Sequence, residues 1–304
     1  MSLELPRPVE EFDLAMDDGA VIRIRRHGDP EASVRLFISN GNGFAIDGYL
    51  PFWGPLGDRF DLIVFDQRNH GRNRLGDPPN HDYAHMAGDL ETIFNGVVER
   101  LGSKINVGAF HSMSGRAAMK HATEIGWRWD ALVLFDPPNI PREGHDVYEL
   151  MCKFEYRLDE WAKSRRSHYE DPSELAAEYA GLRAHAGWAD GAHELMARSV
   201  LRPDKENGDW SLVFPGELEG ITYLSNIPMN LWPKADDYGG PVKLVAADPD
   251  VERPGPTAIA NKALSEEGGY VYEIIRGAGH MLQLEEPEAC RNAVVSFLED
   301  IGIC

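Results

Sequence analysis

Cysteine is scarce in this chain: Cys152, Cys290 and Cys304 are the only three among 304 residues. Their spacing fits neither a disulfide framework nor a zinc site. Long apolar runs are missing too. None approaches the roughly 20 residues that cross a bilayer as a helix, so no membrane span is expected. The opening residues, MSLELPRPVEEFDLAMDDG, lack the basic start and apolar centre of a secretion signal, and a cytoplasmic location is the expectation. Positive charge is also short, with 30 Lys and Arg against 50 Asp and Glu and a formal net charge of -20. Nucleic acids and anionic membrane surfaces are held by clustered Lys and Arg. Neither is an expected partner, and a highly anionic substrate is disfavoured. Repeats, low-complexity tracts and Gly/Ser linkers are absent.

What is present is an ordinary globular composition, 43% apolar and 26% charged, patterned as alternating strands and helices. Glu11 to Met16 and Val21 to Arg26 flank the turn Asp17-Asp18-Gly19 and predict an antiparallel hairpin. Short runs apolar on both faces follow at 34–39, 61–66, 105–110 and 131–136, then at 241–247 and 270–275. Such runs suit the centre of a parallel sheet. Between them, Met86, Leu90, Ile93, Phe94, Val97 and Leu101 recur at helical spacing, and Pro287 opens a final amphipathic helix. The alternation predicts a doubly wound α/β sheet. Residues 137–240 break the rhythm, with Asp171-Pro172-Ser173-Glu174 marking a helix start and Trp210 to Pro215 less regular. They read as a mainly helical insertion.

Four segments carry chemistry. In Val107 to Met119 a β-type run ends, Ser112 follows, and an Ala-rich helix begins at once. A serine at such a turn is exposed above the sheet edge, against the positive end of a helix dipole. This is a nucleophile elbow, although Phe110 and Ser114 stand where G-x-S-x-G has glycine. Ser114 is the weaker nucleophile, because Arg116 would then occupy a position that should be small. After the strand at 34–39, Asn40-Gly41-Asn42-Gly43 allows close backbone approach. Asn42 and Met113 are therefore the candidate oxyanion N–H donors. In 65–73, Arg68 and His70 read as fixed hydrogen-bonding groups of a loop rather than as catalysts. Finally, His280 sits on the Gly-flanked loop Gly277 to Met281, right after the last strand, where it can serve Ser112 as general base. Its orienting acid is Asp250 or Asp136, each at the end of a strand, with Asp248 a weaker third.

Together FHSMSG, FDQRNHGRN, RGAGHMLQLEEPE and ISNGNGF resemble, in order, the GHSMGG, DxRGHGxS, GAGHxxxxExPE and HGxG segments of the α/β-hydrolase superfamily. Asn40 replaces the usual His of the last segment. The resemblance covers nearly the whole chain outside the insertion and points to capped, single-chain hydrolases with a Ser-Asp-His triad. It implies a mostly parallel eight-stranded sheet, with core residues 1–136 and 241–304 and a helical cap at 137–240. The family usually carries its acid after the strand that follows the cap, which favours Asp250. Some members use the preceding strand, which leaves Asp136 as the alternative. Members with a covalent Asp nucleophile are disfavoured, because the elbow holds Ser.

The activity implied is a serine esterase or C–C hydrolase. It would act on an ester, thioester, lactone or activated C–C bond of a small, largely apolar substrate, without metal or organic cofactor. Cap aromatics (Tyr156, Trp161, Trp188, Trp210, Tyr223 and Trp232) are available to shape its pocket. The altered elbow keeps open a lyase, a perhydrolase or a cofactor-free oxygenase on the same fold. A catalytically silent binding protein is the remaining alternative. Oligomeric state is not readable, and a homodimer stays open.

Overall fold

The computed structural model describes residues 3–76 and 78–304. Strands β1 (Glu10–Ala15) and β2 (Val21–Gly28) form the expected antiparallel hairpin. They are followed by β3 (Val34–Ser39), helix α1 (Leu50–Trp53), β4 (Asp61–Phe65), α2 (Tyr83–Leu101), β5 (Ile105–His111), α3 (Ser112–Lys120) and β6 (Ala131–Phe135). After an inserted block come β10 (Val242–Ala246), α8 (Pro256–Gly268), β11 (Val271–Ile274), α9 (Leu282–Glu285) and α10 (Pro287–Asp300). The eight strands lie in the order β1-β2-β4-β3-β5-β6-β10-β11, and every pair from β4 to β11 is parallel. This is the doubly wound sheet that the alternation of strands and helices predicts.

Period-two side-chain alternation sorts the central strands onto two cores. Leu36, Ile38, Leu62, Val64, Val107, Ala109, Val133 and Phe135 face one side with α1 and α10. Phe37, Ile63, Phe65, Phe110, Leu132 and Leu134 face the other with α2, α3 and Leu264 of α8. Because both faces are covered, these strands are apolar through their centres, with the buried Arg35 and Asp61 paired with each other at the starts of β3 and β4. Helix α2 starts where Asp82 accepts a hydrogen bond from the His85 N–H, and it ends at Gly102, whose φ is 79°.

The inserted block holds α4 (Tyr148–Ser164), β7 (His168–Tyr169), α5 (Pro172–Gly181), α6 (Ala192–Val200), β8 (Leu201–Asp204), β9 (Asp209–Leu212) and α7 (Gly216–Asn226). Asp171 caps α5 as its sequence predicts. The irregular stretch near Trp210 is a strand, part of a small three-stranded sheet in the order β7-β9-β8. Among the described residues no helix is long and apolar enough to cross a membrane.

Strand register decides what meets at the carboxyl edge of the large sheet. Ser39 pairs with Phe110, and His111 with Phe135. The next residues, Asn40, Ser112 and Asp136, therefore emerge side by side, at the edge where open α/β sheets bind their ligands.

Candidate active site

Ser112 is the first residue of α3 and has a φ of 51°. A non-glycine residue seldom adopts this left-handed conformation, which aims the side chain out of the turn. The turn also explains its departures from the elbow pattern. The close approach falls at Gly115, where a Cβ would lie 3.2 Å from the Phe110 carbonyl oxygen. The Phe110 ring turns to the far face of the sheet and packs on Phe65 and Trp129. Gly108 makes room for that ring, since a Cβ there would come within 2.4 Å of it. Ser114 is fully buried, and its hydroxyl is held by the carbonyls of Ser39 and His111.

His280 Nε2 lies 2.9 Å from Ser112 Oγ. Its Nδ1 lies 2.7 Å from Asp136 Oδ2. The carboxyl of Asp136 has no exposed surface, and three further donors hold it. Thr257 Oγ1 donates to Oδ2, while the Ala247 N–H and Asn261 Nδ2 donate to Oδ1. Asp136 also has a positive φ, 42°, which turns it inward as the first residue beyond β6.

The carboxylate beside His280 is thus Asp136, and the preference for Asp250 is corrected. Asp250 lies four residues beyond the end of β10. It points to solvent and takes a 2.8 Å hydrogen bond from Arg276, with Lys262 at 3.6 Å. Asp248 folds back onto its own loop, accepting the N–H groups of Asp250 and Gly277.

Ser112, Asn42 and Met113 share the floor of the site. A Cβ on Gly41 would sit 3.2 Å from Ser112 Cβ and 2.9 Å from His111 Nδ1. The loop therefore passes the serine at a distance only glycine allows. The N–H of Gly41 donates to Tyr49 Oη, that of Gly43 to His70 Nε2, and that of Phe44 to the Gly41 carbonyl. The Asn42 N–H has no such partner among the described residues, and its side chain is drawn away to the Glu219 carbonyl. Met113 is the second residue of α3, where a helix leaves its N–H groups free of intrahelical partners.

His111 is a contributor to which the sequence reading gave no role. Its Nδ1 accepts from Tyr49 Oη and its Nε2 donates to the His280 carbonyl, both at 2.9 Å. With Gly41 donating to Tyr49, these bonds tie the glycine loop, the elbow and the His280 loop together. Burial, with His280 nearby, pushes His111 down to about 3, so it stays neutral. Arg68 and His70 hold the loop as expected. Arg68 spans Asp89 and Asp18, and His70 Nδ1 donates to the Arg68 carbonyl.

Of the six aromatics named in the inserted block, one packs on Phe44 and one bonds Glu219, beside the loop at 41–43. Trp188 packs on Phe44 beside Tyr179, and Tyr223 Oη donates to Glu219. Tyr156 and Trp161 are exposed, Trp210 lies on β9, and Trp232 donates to Glu267. His168, Asp204 and Asp209 gather metal-type donor atoms on the small sheet.

Residues 36–293 match the model of the alpha/beta hydrolase family. No curated protein sequence matches the chain. Among solved structures, E-2-(acetamidomethylene)succinate hydrolase superposes with a TM-score of 0.74 at 19% identity, over 95% of this chain and 100% of that one. The thioesterase domain from the curacin biosynthetic pathway gives 0.69 at 17%, over 94% and 99%. A thermophilic esterase from Thermogutta terrifontis gives 0.67 at 17%, over 96% and 99%. These identities speak for the fold alone. The family match spans most of the chain, and it agrees with the sheet order: the chain belongs to the alpha/beta hydrolase family.

Proposed function

We propose that the protein is a serine hydrolase in which Ser112 is the nucleophile, His280 the general base and then acid, and Asp136 the orienting carboxylate. The observation that carries this reading is the unbroken run of hydrogen bonds from Ser112 Oγ through both ring nitrogens of His280 to a fully buried carboxylate. Asp136 accepts a hydrogen bond from Nδ1–H, which leaves the Nε2 lone pair facing the serine hydroxyl. As Ser112 attacks a carbonyl carbon, His280 takes its proton. The N–H groups of Met113 and Asn42 stabilise the oxyanion, at the positive end of α3. His280 then protonates the leaving group. A second cycle through water, activated by the same imidazole, frees the acyl group and regenerates Ser112.

The substrate class we assign is a small, largely apolar carboxylic ester, thioester, lactone or activated C–C bond. Phe44, Tyr179 and Trp188 supply an apolar wall beside the oxyanion loop. Residues 137–240 act as the cap that limits substrate size and water access. The free thiols of Cys152, Cys290 and Cys304 suit a cytoplasmic setting.

Fluorophosphonate treatment followed by mass spectrometry tests the reading. An adduct on Ser112, absent from Ser112→Ala, together with turnover of p-nitrophenyl esters, supports it. A folded protein that takes no label and turns over no ester overturns it.

A further inference from the structure

The buried carboxyl of Asp136 is bonded by Ala247, Thr257, Asn261 and His280, none of them Arg or Lys. A buried carboxylate needs compensation, and it comes from one helix turn beyond the nucleophile. Arg116 of α3 is fully buried. Its Nη1 donates to Asn139 Oδ1 at 2.8 Å. Asn139 Nδ2 donates to Asn261 Oδ1 at 2.7 Å. Asn261 Nδ2 donates to Asp136 Oδ1 at 3.0 Å. Both amides have no exposed surface, and both point the same way, oxygen toward the cation and nitrogen toward the anion. Aligned bonds of this kind polarise one another.

The other arm of Arg116 is fixed as well. Its Nε donates to Asn226 Oδ1 on α7, and Asn226 Nδ2 donates to Glu155 on α4 and to the Pro138 carbonyl. Pro137 and Pro138 have no N–H to offer, so the loop after Asp136 is held through its carbonyls, by Asn261 and Asn226. The titratable groups facing Arg116 are Glu155, Tyr83, Tyr238 and Tyr270. Burial pushes Glu155 up to about 8, so it is mostly uncharged at neutral pH. Burial brings Arg116 down only to about 10, so it keeps its charge. Through two amides, its Nη1 arm reaches the Asp136 carboxyl.

We propose that Arg116 is a positioning residue: through Asn139 and Asn261 it holds the Asp136 carboxyl aimed at His280. The inference rests on the serine-hydrolase reading for its catalytic consequence, but the relay has a readout of its own. In Asn139→Asp the new carboxylate keeps the Arg116 contact and can only accept. Asn261 then turns its amide nitrogen toward residue 139 and its oxygen toward Asp136, reversing the relay.

The experiment compares wild type with Asn139→Asp by thermal unfolding, by the pH profile of p-nitrophenyl ester hydrolysis, and by proton NMR of the downfield His280 Nδ1–H, assigned with His280→Gln. A folded variant is expected to lose about ten- to a hundredfold in kcat at nearly constant KM, as for one lost charge-assisted hydrogen bond. Its acid limb should move to higher pH, because a cation is cancelled near the imidazolium, and its Nδ1 proton should be displaced. Superimposable profiles and an unmoved resonance overturn the proposal. If wild type neither hydrolyses esters nor labels, the serine-hydrolase reading fails, and the Nδ1 resonance still decides the relay. If Asn139→Asp does not fold, Arg116→Lys carries the test. Lysine keeps the charge but cannot reach both asparagines, so the Nδ1 proton should be displaced and kcat lowered with the acid limb unmoved, and an unmoved resonance overturns the proposal.

Discussion

Asp136 and His280 stand 2.7 Å apart although 144 residues separate them in the chain. The contact follows from register. Asp136 is the first residue beyond β6, beside Ser112 at the end of β5, whereas Asp250 begins its approach four residues too late. Asp136→Asn should therefore lower kcat for a p-nitrophenyl ester by about 10⁴-fold, as in a triad that loses its acid. Asp250→Asn should stay within a few-fold of wild type, because it removes only exposed pairs with Arg276 and Lys262. Steady-state kinetics on the two variants check this, and a larger loss in Asp250→Asn would reverse the assignment.

Gly41→Ala tests the close passage of the oxyanion loop. The added methyl would meet His111 Nδ1 at 2.9 Å and Ser112 Cβ at 3.2 Å. Both neighbours are locked, His111 by Tyr49 and the His280 carbonyl and Ser112 by the elbow. The loop itself must move, carrying the Asn42 N–H away from the oxyanion. A loss of about a hundredfold in kcat is expected, the scale of one oxyanion donor. Fluorophosphonate labelling should be slowed, and the melting temperature little changed. Unaltered kinetics would mean that the Asn42 N–H does not serve the oxyanion.

Much of this architecture was legible because the central strands are apolar on both faces and the turns after them are rich in glycine or polar residues. Ser112 and His280 stood out for that reason. The acid did not, since Asp136 and Asp250 both close an apolar run in sequence. Only register and the positive φ of Asp136 tell which one turns inward. The β8–β9 hairpin was missed because its strands are short and one contains Pro203. The Asn207-Gly208 turn between them, with Gly208 at a φ of 75°, was the available signal. His111 and Arg116 were hidden differently. A polar residue in a helix or elbow reads as exposed until the partners that bury it, distant in sequence, are known.

Acid should destabilise the fold through its neutral histidines. Burial pushes His27, His70 and His185 down to about 4, and His111 to about 3. The unfolded chain takes up these protons near pH 6.5, and the native state does not. Their contribution is therefore complete above pH 6.5 and is lost as pH falls toward 4. Melting temperature measured from pH 7 to 4 should fall throughout that window. His27→Phe, at a site not linked to the active centre, should flatten the fall; an unchanged slope would show that His27 is not buried neutral.

Glu155 should act in the opposite direction. Burial holds its carboxyl at about 8, well above the ordinary 4.5, so the native state keeps a proton that the unfolded chain gives up. The stability from that neutral carboxyl is complete below pH 4.5 and is lost as pH rises through 8. Glutamine is nearly isosteric, can accept from Asn226 in the same way, and has no proton to lose. Glu155→Gln should match wild type at pH 5 and melt several degrees higher at pH 9. The difference should open mainly between those two values. Equal melting curves at pH 9 would mean that Glu155 ionises in place without cost. Arg116 would then have a second counter-charge within reach, and the relay from Arg116 to Asp136 would carry correspondingly less of the compensation.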